Sequence, residues 1–238
     1  MLRQLITDLK LNKQEFLVTF LMELGGFLFG VILVNIIMRV DDDPGSWFCM
    51  GTLLALVMGL VMLFFLGGFG YSGEFQLALS MGRTRGAFMG SYALRLVLRA
   101  IAAYAAVLVF YRVELAIYPV LFPAYENEVA FTFLTDWRLI LPGIVGLVVL
   151  TMFLGAMFGR FGKKGMWVFY VLWLFCCFVL PRMTHEEPGS GVLDQAAFGM
   201  RTLFFAVPLT TWAALAAILA VGMTVAVVVL GKKQMVKL

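Results

Sequence analysis

Three charged residues stand inside stretches that are otherwise almost pure hydrocarbon. Glu23 lies about two turns into the first apolar run, and Arg95 and Arg99 lie one helical turn apart in the third. An ionised group inside a bilayer is costly, so it faces the bundle interior, a partner charge or water. If both runs enter from the same side, Glu23 and Arg95 come at similar depth. The expectation is an intramembrane ion pair between Glu23 and Arg95 or Arg99 that pins the first span to the third. The competing use for Arg95 is to snorkel to the interface, and a proton relay through these groups is a lesser reading. Other chemistry is scarce. His185, in "THEEPG", has no second histidine four residues on, so no zinc-protease helix and no Ser/His/Asp grouping can be assembled from it, and no metal site is expected. "GRFGKKG" has the wrong glycine spacing for a phosphate loop, so no ATP site of that kind is expected on this chain. Cys49, Cys176 and Cys177 lie in or beside apolar runs and read as small buried hydrophobes.

The elements that must hold these charges are membrane helices. Of the 238 residues 63% are hydrophobic and 13% charged, about half the charged share of a soluble domain, and the mean hydropathy is +0.98. The fold class expected is an all-α integral membrane protein, a single transmembrane domain over 1–238. Six spans are predicted, at about 16–38, 47–70, 88–111, 139–159, 165–180 and 209–230. The first run is too long for a signal-peptide core and no small-residue cleavage site follows it. Residues 1–15, with Leu2, Leu5, Ile6 and Leu9 at helical spacing, predict a short amphipathic helix on the inner interface. Leu203–Leu230 is too long for one straight crossing, and Pro208 marks a break within it.

Loop charges orient the chain. With the N-terminus in the cytoplasm, eleven of the 18 Lys and Arg residues fall inside, among them Arg83, Arg85, Arg160, Lys163 and Lys164. The acids concentrate outside, from Asp41–Asp43 through Glu114, Glu126 and Glu128 to Glu186 and Glu187. Both termini are therefore expected in the cytoplasm. The net charge of +4 reflects this topology, and nothing suggests nucleic acid. Small residues at Gly26 and Gly30, at Gly155 and Gly159, and at Ala213, Ala217 and Ala220 offer close helix contacts. The aromatic set Trp167, Phe169, Trp173, Phe175 and Phe178 reads as lipid-facing or packing surface.

The loop between the second and third spans, "LALSMGRTRGAF", Leu77 to Phe88, is built as more than a connector. Ser72 can cap a short helix with Glu74 near its positive end. Phe75, Ala78 and Leu79 share a face, as do Leu77 and Met81. Gly82 is a natural stop, and Thr84 can cap the next helix. The expectation is a separate helix of roughly ten residues at the cytoplasmic surface, with Arg83 and Arg85 at its edge. The plainer use of those arginines is as a positive-inside anchor.

This stretch resembles the first cytoplasmic loop of small six-span bacterial type-2 ABC exporter permeases. Ala78, Leu79, Ser80, Met81, Gly82, Thr84 and Arg85 match that loop, with Phe88 as the following aromatic, while Gly86 and Ala87 depart from the charged residues common in relatives. The resemblance implies a coupling helix that docks on a separate ATP-binding subunit, with Glu74, Phe75, Leu77, Leu79, Met81, Gly82, Arg83, Thr84 and Arg85 as the coupling residues. By the same analogy Arg160, Lys163 and Lys164 form a second, smaller cytoplasmic contact. The implied function is that of the membrane subunit of an ATP-driven exporter in the bacterial cytoplasmic membrane. It would carry no cofactor itself, ATP and Mg residing on the partner, and it would pair with a second permease chain, identical or not. The alternative is the substrate-binding membrane subunit of an importer. A membrane enzyme is disfavoured by the missing catalytic groupings.

Overall fold

The computed structural model describes residues 13–40, 46–123, 126–129, 131, 134–179 and 209–233. The expected amphipathic helix over 1–15 lies almost wholly outside these residues. Six helices are described: α1 Lys13–Val40, α2 Met50–Ser80, α3 Arg85–Leu121, α4 Trp137–Phe161, α5 Lys163–Val179 and α6 Leu209–Lys233. Four of them, α1 to α4, are long and apolar enough to cross a membrane. α5 has 17 residues, just under the length a span usually requires. α6 begins directly after Pro208 and has 25 residues, with its apolar stretch at Ala214–Leu230.

Two short strands add to the helices. β1 (Ser46–Phe48) and β2 (Glu126–Val129) pair in parallel, Ser46 opposite Glu126, with an irregularity between Trp47 and Phe48. The second helix therefore starts at Met50, not at Trp47 where the apolar run begins.

The chain divides into two compact units, one up to Gly155 and one from Ala156 to Met235. In the first, α2 packs against both α1 and α3. Glycines set the closeness of α1 to α2. A Cβ on Gly30 would come within 2.5 Å of the Gly51 Cα, and one on Gly26 within 3.0 Å of the Leu54 carbonyl oxygen. Gly155 of α4 meets α2 likewise, where a Cβ would lie 2.6 Å from the Tyr71 Cβ. Around the α1–α2 contact sits an apolar core that includes Phe27, Val34, Cys49, Ala55, Val107 and Phe110, with the Phe27 and Phe110 rings stacked at 4.7 Å. In the second unit Gly162, at φ +55°, turns α4 directly into α5, and Phe158 meets Phe169 edge-on at 5.9 Å.

Helix lengths carry information of their own. At 1.5 Å per residue, the 31 residues of α2 span about 46 Å and the 37 of α3 about 55 Å, against a hydrocarbon core of about 30 Å. Gly59 of α2 lies beside Glu23 of α1. From that level α2 continues to Ser80, about 31 Å along the axis.

Candidate functional site

The hairpin tip is built from ordinary helix-ending chemistry. At the end of α2 the Gly82 amide donates to the Leu79 carbonyl (3.0 Å) and the Arg83 amide to the Ala78 carbonyl (2.9 Å). This paired closure requires a left-handed residue after the cap, and Gly82 supplies it at φ +78°. Thr84 then starts α3, its hydroxyl accepting from the Ala87 amide at 3.3 Å. Stop and start stand where the sequence places them.

The separate coupling helix is not formed. Ser72 and Gly73 lie inside one unbroken helix, and the segment expected to stand alone is the last turns of α2. Continuity comes from packing. Tyr71 and Phe75 on α2 face Phe88 and Tyr92 on α3, with Tyr71–Tyr92 at 5.1 Å and Phe75–Phe88 at 5.4 Å, both edge-on. All four rings are buried, and each such pair adds about 0.5–1.5 kcal/mol to the burial itself. The Tyr92 hydroxyl donates to the Gly67 carbonyl, tying the same two helices again.

This bracing revises two of the coupling residues. Phe75 is only 1% exposed and belongs to the ring cluster. Glu74 is not a free helix-end acid: its carboxylate accepts from Arg95, whose guanidinium also lies over the Tyr92 ring at 4.7 Å from the centroid. What the tip presents outward is Leu77 (61% exposed) and Met81 (74%), with Gly82 and Thr84 exposed and Leu79, Arg83 and Arg85 half-buried. Arg160, Lys163 and Lys164 are exposed around the Gly162 turn of the second unit.

The expected pairing of Glu23 with Arg95 or Arg99 does not occur. Arg95 is held by Glu74, and Arg99 by Glu15 at 2.6 Å, with further bonds from Arg99 to the Met62 (3.1 Å) and Leu63 (3.4 Å) carbonyls. The cause is axial register. The sequence reading set Arg95 level with Glu23, but α3 is displaced so that Arg99 stands beside Glu15, a slip of twelve residues or about 18 Å. Glu23 is left fully buried with neither carboxylate oxygen hydrogen-bonded.

Glu114, expected among the acids of an outer loop, is a buried residue of α3. Its carboxylate accepts from the Gly51 amide (2.9 Å), the Thr52 amide (2.8 Å) and the Thr52 hydroxyl (2.6 Å). Cys49, at the cap position of α2, makes no side-chain cap bond, so Glu114 caps α2 from the neighbouring helix. Next to it the Cys49 thiol is fully buried.

Sequence reasoning missed Glu15, Glu114 and the ring cluster. The rings left a signal: Tyr71 and Phe75, then Phe88 and Tyr92, are i, i+4 pairs placed on either side of Gly82. Glu114 left none, because its role depends on the register of α3 against α2. The chain matches no family model, no curated protein and no solved structure.

Proposed function

We propose that this chain is the membrane-spanning permease subunit of an ATP-driven ABC transporter of the exporter class. It would work as a dimer of permease chains with separate ATP-binding subunits, in the bacterial cytoplasmic membrane, with six crossings and both termini in the cytoplasm. The observation that carries the reading is the braced α2–α3 hairpin. Its tip holds the Ala78–Arg85 motif and exposes Leu77 and Met81 beside Arg83 and Arg85.

A coupling element must transmit displacement without absorbing it. Four buried rings and an ion pair join the two helices, and the Gly82 closure ties the tip to the last turn of α2, as a lever would require. Movement of a docked ATPase would then pass along α2 and α3 to the contacts with α1. Leu77 and Met81 suit an apolar groove on the partner, and the two arginines suit its acidic rim.

The test is whether a neighbouring gene encodes a phosphate-loop ATPase and whether that ATPase copurifies with the tagged chain. Leu77→Asp with Met81→Asp, and separately Arg83→Glu with Arg85→Glu, should abolish recruitment while the chain still inserts. Normal assembly and normal ATPase stimulation in both double variants would overturn the reading.

A further inference from the structure

Among the described residues Glu23 is the intramembrane acid with neither a cation nor a hydrogen-bond donor at its carboxyl. Arg95 is taken by Glu74, Arg99 by Glu15, and the Glu114 carboxylate by two amides and a hydroxyl. Glu23 is 0% exposed, and both its oxygens lack a partner. A buried carboxylate without hydrogen bonds is among the costliest groups a membrane helix can hold, and its usual justification is a ligand or a partner charge. The fold makes room for it, because the carboxylate occupies the space that a side chain at Gly59 would need.

Glu23 borders two cavities. The larger, about 240 Å³, has walls that are almost entirely hydrocarbon, including Leu56, Leu60, Leu63, Val107, Ile144 and Leu147. The smaller, about 190 Å³, lies toward Phe16, Phe20 and Arg99. We propose that Glu23 is the anionic end of a binding site for a lipophilic organic monocation, an amine whose ammonium meets the carboxylate and whose hydrocarbon body fills the larger cavity.

Three observations select that ligand class. An apolar cavity of about 150 Å³ already accommodates benzene, so 240 Å³ takes a ring with a short chain. A bare metal ion would need several oxygen or nitrogen donors, and no group of three His, Cys, Asp or Glu occurs among the described residues. An anionic ligand would find no cation at Glu23, and Arg99 across the smaller cavity is already neutralised by Glu15. The site stands on this geometry alone, whether or not the chain partners an ATPase. Under the transporter reading it names hydrophobic amines as cargo.

The experiment is calorimetric titration of the full chain in phosphatidylcholine nanodiscs at pH 7.4, with empty nanodiscs subtracted. The probe is 4-phenylbutylamine, an alkylamine protonated at this pH, and its uncharged counterpart is 4-phenyl-1-butanol. Saturable binding of the amine is expected, weakened at least about tenfold by Glu23→Gln because the charge pair forms in a low-dielectric site. The alcohol should bind weakly and equally to both proteins. Leu63→Trp, which keeps the carboxylate and fills the cavity, should also remove amine binding, so the proposal remains testable if Glu23→Gln does not fold. Amine binding that is unsaturable, that survives both substitutions, or that the alcohol matches in the wild-type chain would overturn the proposal.

Discussion

The Glu114 carboxylate accepts both the backbone amide and the hydroxyl of Thr52, at 2.8 and 2.6 Å, and so closes the first turn of a helix to which it does not belong. The first amides of any helix lack internal partners and carry a partial positive charge. Ordinarily a local Ser, Thr, Asp or Asn satisfies them. Here the cap position is Cys49, which makes no such bond, and the carboxylate arrives from α3. Glu114→Ala would leave two buried amides and a buried hydroxyl unpaired. The expected loss of stability is on the order of 2–3 kcal/mol, and Thr52→Ala, which spares the amides, should cost about 1 kcal/mol. Thermal unfolding of the purified chain in detergent measures both. Equal melting of Glu114→Ala and wild type would show that the cap carries no stability.

The ion pair at the base of the hairpin tip should be energetically coupled. Arg95 is buried and Glu74 mostly so, and truncating either leaves the other short of a partner. A double-mutant cycle with Glu74→Gln and Arg95→Met should show a coupling of about 1 kcal/mol or more. The corresponding cycle with Glu23→Gln and Arg95→Met should be additive within about 0.5 kcal/mol. The reverse pattern would restore the register expected from sequence.

These two cycles mark what was legible in the sequence and what was not. Hydropathy exposes the four long helices, and local chemistry places the stop at Gly82 and the cap at Thr84, because each depends on residues a few positions apart. Axial register does not follow from local pattern. A run of apolar residues has no marker for the level at which it meets its neighbour, so Arg95 and Arg99 could be assigned to a membrane depth but not to their carboxylates. The unbroken α2 has the same cause. Ser72, Gly73 and Glu74 look like a helix start, and the rings of Phe88 and Tyr92 across the hairpin override that local preference.

Two glycines of α1, five residues apart, should behave oppositely. A Cβ at Gly30 would press on the Gly51 backbone, which cannot yield without parting α1 from α2, whereas at Gly25 it would meet nothing within 4 Å. Gly30→Ala should destabilise by about 1–3 kcal/mol or more. Gly25→Ala should be neutral or stabilise by up to about 1 kcal/mol through helix propensity. Parallel melting curves decide it, and a harmless Gly30→Ala would show that the α1–α2 approach is looser than 2.5 Å implies.

The Cys49 thiol should be chemically silent in the folded chain. It is 0% exposed and packed in the apolar core with Phe27 and Val107. Only the thiolate reacts, and only where the reagent can reach it. With Cys176→Ser and Cys177→Ser in place, alkylation of Cys49 by N-ethylmaleimide at pH 8 should run at least about a thousandfold slower than that of a free thiol. Denaturation in dodecyl sulfate should restore the ordinary rate. Because the thiol stays buried, Glu114→Gln should recover only a small part of the reactivity if the helix end stays closed. Rapid labelling of the native chain would mean instead that the start of α2 opens to solvent, and that the Glu114 cap is broken for much of the time.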